Sequence, residues 1–253
     1  MKILYDGSFD GLMSVVFDCY EQKMVPTAII KMHKYQPEMF DQVQTVETNA
    51  EKTKRVIDGL HKKMTSNAFN QLFKAFHSEF DDIELTIFNY IRLVISTKGY
   101  IGTDYRQEPI LRIKQVVKMM NREIHRMHAF VRFQLTVDGI YAATVNPDFD
   151  VMPFIGEHFR KRYADQLWLI YDVQRDYGIY YDMQKLQTIH IENPEWTANK
   201  KIKDSLLADK EKSFQNMWQQ YFSSTSIAER KNMKLHLQHV PKRYWKYLPE
   251  KSA

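Results

Sequence analysis

The segment 106–128 carries the most regular helical pattern in the chain and constrains the fold more than any other stretch. Its apolar residues are separated alternately by three and four positions, which places them on one face of an α-helix. They are Ile110, Ile113, Val117, Met120, Ile124 and Met127. A continuous apolar face has to be covered by other elements, so we predict a helix packed against the core of a domain.

Two β-hairpins are predicted after this helix. In the first, FVRFQLTV and IYAATV flank Asp138-Gly139, a dipeptide that favours a tight hairpin turn. The second consists of LWLIYDV (167–173) and YGIYYD (177–182), and a helix over 154–164 lies between the two hairpins. This order of elements predicts an antiparallel sheet with helices on one face.

Helical patterns dominate on both sides of the sheet region. Before it, the strand patterns KILY (2–5) and TAIIKM (27–32) alternate with helices, including a nearly all-apolar helix over 83–95 that Lys98-Gly99 closes. After it, large apolar residues recur at helical spacing in the C-terminal tail. These are Phe214, Met217, Trp218, Tyr221 and Phe222.

We therefore predict an α+β fold: an antiparallel sheet built from two hairpins, packed with a helical middle region and a helical C-terminal tail. The chain has no internal repeat and only eight glycines and eight prolines, so we predict a single integrated domain over 1–253. Its sub-units are a mainly helical part (1–105), a helix with the sheet (106–198) and the tail (199–253).

The composition excludes several classes of protein. No apolar run approaches the roughly 18 residues that a membrane helix needs. The N-terminus MKILYDGSFDG shows no signal peptide, so we expect a cytoplasmic protein without a membrane partner. A single cysteine, Cys19, rules out an internal disulfide framework or a cysteine-ligated cluster, and its apolar neighbours indicate a buried thiol. We predict no cofactor and no metal site.

The charge is distributed unevenly along the chain. The net charge is only +5, but residues 106–132 carry seven basic and two acidic groups, and residues 199–253 carry twelve and five. Between them, residues 133–198 carry five basic and ten acidic groups. Two basic segments that flank an acidic one are typical of a protein with a polyanionic partner, although a solubilising surface produces the same asymmetry.

Four positive charges follow one another along the 106–128 helix, on a row beside its apolar face. Lys114, Lys118, Arg122 and Arg126 are spaced four residues apart. Like charges at this spacing destabilise a helix by roughly 0.2–0.5 kcal/mol per pair. Either salt bridges from the acidic segment 133–198 or the phosphates of a nucleic acid would offset this repulsion. Under the second alternative the row is a nucleic-acid-binding site.

The segment HRMHAFVRFQ (125–134) joins this row to the first hairpin. If residues 129–137 form a strand, Val131 and Phe133 face the core, and Arg132 is displayed on the opposite face. His125 and His128 share one face of the helix. Such a pair can transfer protons, can bind a metal if a third ligand is supplied, or can be structural.

The loop NPDFDVMPF (146–154) supplies two carboxylates, Asp148 and Asp150. They can work with His125 or His128 as acid–base groups, and carboxylates so spaced can hold Mg²⁺. Asn-Pro-Asp is also typical of a turn in which side-chain oxygens bind backbone amides. The weak catalytic candidates are therefore these two aspartates and the two histidines.

Two further segments combine basic groups with aromatic rings. HFRKRY (158–163) contains Arg160 and Arg162, and VPKRYWKYLPE (240–250) contains Lys242, Arg243 and Lys246. Cations that meet phosphates and rings that stack on bases are typical of nucleic-acid-binding proteins. The alternatives are a solvated helix face for the first segment and docking of the rings onto the protein for the second.

Several of these segments together resemble a bacterial family described as probable DNA metabolism proteins. The matching pieces are YDGSFDGL, LFKAFHSE, HRMHAFVRFQ, PDFDVMPFIGEHFRKRYADQLWLIYD, YGIYYD and IAERKN with VPKRYWKYLPE, and they cover nearly the whole chain. Members of that family are associated with a DNA modification or repair radical S-adenosylmethionine protein. Some carry a uracil-DNA-glycosylase-like domain after the region that ends like this one, and we expect this chain to lack it.

The resemblance implies a DNA context and supplies no catalytic residues. Our first hypothesis is an accessory DNA-binding module of a repair or modification system, with the radical S-adenosylmethionine protein as its partner enzyme. The alternatives are a nucleic-acid- or nucleotide-processing enzyme and a protein–protein adaptor. The candidate nucleic-acid-binding residues are Lys114, Lys118, Arg122, Arg126, Arg132, Arg160, Arg162, Lys242, Arg243 and Lys246.

Overall fold

The computed structural model of the chain describes residues 1–97, 102, 104–191, 202–225 and 232–251. The chain divides into two compact units, Met1–Asn121 and Arg122–Ala253. The single integrated domain over 1–253 stays a prediction. The predicted α+β class is confirmed, since each unit combines a β-sheet with helices.

The first unit contains a parallel sheet of three short strands. Strand β1 (Lys2–Tyr5) is central, with β2 (Ala28–Lys31) on one side and β3 (Val43–Thr45) on the other. The side chains of Ile3 and Tyr5 are completely buried. The first two strands lie where the sequence predicts them. The third has only three residues and two polar side chains, and this is too little for a strand pattern.

Capping side chains precede several helices of the first unit, at Ser8, Asn49 and Thr65. The helices are α1 (Phe9–Glu21), α2 (Ala50–Lys63), α3 (Ser66–Phe76) and α4 (Ile83–Ser96). Asn49 caps α2 by accepting hydrogen bonds from the backbone amides of Glu51 and Lys52. The apolar helix α4 is largely buried, as predicted, whereas Lys98-Gly99 lies outside the described residues.

The long helix α5 (Glu108–Phe130) starts in the first unit and ends in the second. Its predicted apolar face is confirmed, since five of the six residues are buried and Ile124 is half-buried. The predicted strand over 129–137 is wrong in its first half. Phe130 and Val131 follow Met127 by three and four residues, so they extend the apolar face, and the Val131 amide bonds to the Met127 carbonyl at 3.1 Å.

The second unit contains a mixed sheet of five strands. Its order is β4 (Gln134–Leu135), β5 (Tyr141–Val145), β6 (Trp168–Asp172), β7 (Tyr177–Tyr181) and β8 (Leu186–Ile189). Both predicted hairpins are confirmed, as β4 with β5 and β6 with β7.

The prediction of an antiparallel sheet is wrong at the junction between the hairpins. Strand β5 pairs with β6 in parallel because helix α6 (Met152–Arg162) carries the chain back before β6 begins. Strand β8 adds a further antiparallel edge that the sequence pattern did not predict.

The C-terminal tail is helical, as predicted. It contains α7 (Asp209–Thr225), α8 (Met233–His239) and a 3-10 segment over Lys242–Tyr247 that follows Pro241. The rings of α7 are not core residues, because Phe214, Trp218 and Tyr221 are 51%, 40% and 60% exposed. None of the described helices combines the length and the apolar character needed to cross a membrane.

Candidate nucleic-acid-binding pocket

A cavity of about 890 Å³ opens in the second unit, between the end of α5, helix α6 and helix α7. Four of the candidate residues from the sequence line it: His125, His128, Arg132 and Arg162. They come from two segments separated by about thirty positions, and the fold brings them to one cavity. Aromatic rings complete the wall, namely Phe133, Tyr163, Phe214 and Trp218.

Two histidine rings stack at the side of the pocket. The centroids of His128 and His158 are 3.9 Å apart, and their planes differ by 14°. Burial, together with smaller contributions from the neighbouring His158 and His125, lowers the pKa of His128 to about 4, so this imidazole is neutral at pH 7. The Nε2 atom of His128 is buried and has no hydrogen-bond partner among the described residues.

Arg132 is fixed at the mouth of the pocket by the C-terminal segment. Its Nη2 donates to Oε1 of Glu250 at 2.8 Å, and its Nη1 donates to the Ala129 carbonyl at 2.7 Å. The guanidinium also lies 5.8 Å from the ring centre of Trp218. Its Nε is buried without a partner in the described part of the chain. Arg132 is thus held in place with hydrogen-bonding capacity left over.

The second arginine of the pocket, Arg162, is exposed. Its Nε donates to the hydroxyl of Tyr163 at 3.3 Å, and no acidic partner is found within the described ranges. Tyr163 in turn meets the Phe133 ring edge-on, with the centroids 5.4 Å apart. Arg162 is therefore the cation of the pocket that is best placed to meet an anionic ligand.

On the α7 side, Trp218 is oriented by a hydrogen bond from its Nε1 to Oε2 of Glu250 at 2.9 Å. Glu250 therefore accepts from both Trp218 and Arg132. These hydrogen bonds lower the pKa of the Glu250 carboxyl, although burial acts in the opposite direction. Arg132, Trp218 and Glu250 form one preorganised group on the wall.

The acid Glu123 organises a second cluster. Its carboxylate is almost fully buried and accepts from the Asp148 amide at 3.0 Å and from the Tyr244 hydroxyl at 2.5 Å. Arg243 bridges Glu123 at 3.1 Å and the Asp148 carboxylate at 2.6 Å, and Arg126 approaches Glu123 at 3.4 Å. This network connects Arg126 of the segment HRMHAFVRFQ with Arg243 of the segment VPKRYWKYLPE, and its charges satisfy one another.

The remaining basic candidates differ in whether they are paired. Lys114, Lys118 and Arg122 are exposed on α5, without an acidic partner among the residues that are described. Arg160 pairs with Glu157 at 2.8 Å. Lys242 and Lys246 are exposed, and the Lys246 ammonium lies 4.8 Å from the ring centre of Tyr247. Salt bridges therefore neutralise four of the predicted arginines: Arg126, Arg132, Arg160 and Arg243.

The predicted catalytic combination of histidines with Asp148 or Asp150 is not found among the described contacts. Asp148 binds Arg243, while Asp150 accepts a very short hydrogen bond from Tyr177, and neither aspartate lines the pocket. Within the described ranges, no group of three His, Cys, Asp or Glu side chains is arranged to hold a metal ion.

Several residues that line the pocket were not predicted from the sequence. His158 and Tyr163 flank the basic residues of HFRKRY, where the mixture of rings and cations was the available signal. Trp218 was assigned to a helix, but its spacing does not distinguish a ring that faces the core from one that lines a pocket. Glu211 and Gln215 carry no pattern that separates them from ordinary polar positions.

A family model of known protein domains covers the pocket completely. The domain of unknown function DUF4130 matches residues 81–250, about two thirds of the 253-residue chain. A search of curated proteins finds no match to the chain. The matched range contains helix α5, the mixed sheet and every residue that lines the pocket. The chain therefore belongs to the DUF4130 family.

Proposed function

We propose that the second unit binds single-stranded nucleic acid in this pocket, as an accessory module of a DNA repair or modification system. The observation that carries the proposal is the convergence of Arg132 and Arg162 with exposed rings in one cavity. Arg162 there can meet a backbone phosphate, and the rings offer stacking surfaces to bases, each worth roughly 1–3 kcal/mol.

A single strand suits this surface better than a duplex. Bases in a duplex are stacked on one another, so they cannot reach rings that line a cavity.

The DNA context comes from the resemblance to probable DNA metabolism proteins. The segments that carry it, HRMHAFVRFQ and VPKRYWKYLPE, meet in the second unit through Glu123 and through the Arg132–Glu250 pair. We propose on the same ground that the partner enzyme is a radical S-adenosylmethionine protein. Physical association of the two proteins is the corresponding measurement.

Fluorescence anisotropy with labelled single-stranded DNA, single-stranded RNA and duplex DNA tests the binding proposal. We expect the single strand to bind more tightly than the duplex, and the substitution Arg162→Glu to weaken binding by roughly tenfold. The matched control is Lys185→Glu, which makes the same charge change at an exposed position of the second unit outside the pocket. Equal losses in both variants would contradict the assignment.

Binding is favoured over catalysis by the state of His128. A general base works best when its pKa lies near the operating pH, whereas the pKa of this imidazole is about 4. The two aspartates proposed as its partners are engaged elsewhere. The pocket residues are thus placed to hold a ligand rather than to move a proton.

A further inference from the structure

Gln215 lines the pocket with an amide group whose orientation is fixed from behind. Its Nε2 donates to Oε1 of Glu211 at 3.0 Å. Glu211 is itself buried, and its other oxygen accepts from the Leu135 amide at 2.9 Å. Because a carboxylate accepts only from a donor, this bond determines which end of the amide is nitrogen. The amide retains its carbonyl oxygen and a second N–H for a ligand.

An adjacent acceptor and donor in one plane match the edge of a nucleobase. Every base carries a hydrogen-bond donor next to an acceptor, and amide side chains recognise such edges with two parallel bonds. A polar side chain held by a buried partner keeps its position before the ligand arrives, which lowers the entropic cost of binding.

The wall also contains two nitrogens whose hydrogen-bonding capacity is unused. His128 Nε2 and Arg132 Nε are buried without partners among the described residues, although both side chains line the cavity. More than nine in ten buried polar groups in proteins are paired. A ligand that carries hydrogen-bonding groups can bind these two nitrogens after small rotations of the two side chains.

The cavity has room for a flat ring, and aromatic side chains form part of its wall. Its volume of about 890 Å³ lies within the range of small-molecule sites. The Phe133 ring meets Phe159 and Tyr163 edge-on at 5.6 Å and 5.4 Å, so these rings form a rigid apolar wall.

We infer that the pocket encloses one unstacked nucleobase, whose edge forms hydrogen bonds with the Gln215 amide. The inference rests on the proposed function and deepens it, since it names the part of the strand that is recognised. Arg162 then meets the phosphate of the inserted nucleotide, and Glu211 is a positioning residue that acts through Gln215.

Calorimetric titration of the full chain with the four deoxynucleoside monophosphates and with deoxyribose 5-phosphate tests this inference. We expect at least one nucleotide to bind roughly tenfold more tightly than the sugar phosphate, which has no base. The substitution Gln215→Leu should abolish that preference. Gln220→Leu, on the same helix outside the pocket, should leave it unchanged. Glu211→Gln should weaken the preference, because two amides facing each other no longer fix the orientation of Gln215.

The outcomes separate this inference from the proposed function. Equal binding of nucleotides and sugar phosphate, or an unchanged preference in Gln215→Leu, would overturn base recognition here. The same samples are titrated with single-stranded DNA, and retained binding would leave the proposed function standing. If neither monomers nor the strand bind, both proposals fail. The comparison of nucleotides with the sugar phosphate uses the wild-type chain. The test of base recognition therefore still works if a variant fails to fold.

Discussion

At the scale of single residues, the second unit depends on Glu123 and the groups that satisfy it. The sequence identified Arg126 and Arg243 as candidate binding residues, yet both meet this one buried carboxylate. The pairing of Arg243 could not be predicted, because Arg243 lies 120 positions from Glu123. Sequence spacing predicts charge on a helix face, whereas only the fold determines whether that charge is already paired.

Glu123→Gln should lower the free energy of unfolding of the second unit by about 3 kcal/mol, because it leaves two arginines without their shared anion. Urea unfolding followed by tryptophan fluorescence measures this, since all four tryptophans lie beyond residue 121. As a control, Glu157→Gln removes an exposed ion pair, and its cost should stay below about 1 kcal/mol. Equal costs would show that the network contributes no more than a surface pair.

The buried imidazole of His128 should make the stability of the second unit depend on pH. Its pKa is about 4 in the folded protein against an ordinary value of 6.5, so the unfolded chain binds more protons between these values. Stability should therefore fall as the pH drops from 6.5 towards 4.

The difference between wild type and His128→Gln isolates this effect from the titration of carboxylates in the same range. Urea midpoints measured across that range should show wild type losing its advantage as the pH falls. Parallel curves for the two proteins would mean that His128 titrates normally.

At the scale of elements, the predictions succeeded for patterns within one segment of the chain. They failed for the pairing of strands that are distant in the sequence. The Asp138-Gly139 turn and the apolar face of α5 are local signals, and both are confirmed. The parallel pairing of β5 with β6 depends on where α6 returns the chain, and a mixed sheet has no separate signature in the sequence. Helix α5 ends at Phe130, two residues after its predicted end. Val131 fits both the apolar face of the helix and the alternation of a strand, so the pattern did not fix this boundary.

Gly178 in β7 allows its strand to approach β6 closely. A Cβ at this position would lie 2.7 Å from the Ile170 carbonyl oxygen and 2.8 Å from the Tyr171 ring. Gly178→Ala should therefore cost about 3 kcal/mol of stability, since backbone atoms would have to shift.

Thermal unfolding followed by circular dichroism checks the effect of Gly178→Ala. Gly59→Ala provides a control of opposite sign, because its Cβ meets nothing within 4 Å and alanine favours the interior of α2 by up to about 1 kcal/mol. A neutral Gly178→Ala would show that the two strands tolerate a wider separation.

At the scale of the whole molecule, the charge asymmetry was readable from the sequence, but the pocket was not. The pocket assembles residues from α5, α6 and α7, and no spacing rule connects three segments that far apart. Four of the candidates from the sequence line the pocket, namely His125, His128, Arg132 and Arg162. The sequence did not mark the exposed rings, because apolar residues at helical spacing usually belong to a core.

The salt dependence of binding should be shallow for a protein with this net charge of +5. Arg162 contacts one phosphate in the proposed complex, whereas Arg132 is already paired with Glu250, so the logarithm of the association constant should fall with a slope of about −0.7 against the logarithm of salt concentration. Anisotropy titrations at several salt concentrations measure the slope. A slope several times steeper would indicate an extended contact along many cations instead.

The most direct test of the proposed function is the position at which nucleic acid touches the chain. Ultraviolet cross-linking of single-stranded DNA to the full chain, followed by mass spectrometry of the peptides, maps that position. We expect cross-links at Phe133, Tyr163 or Trp218, the rings that line the pocket with Arg132 and Arg162. Cross-links confined to residues outside the pocket would contradict the proposal.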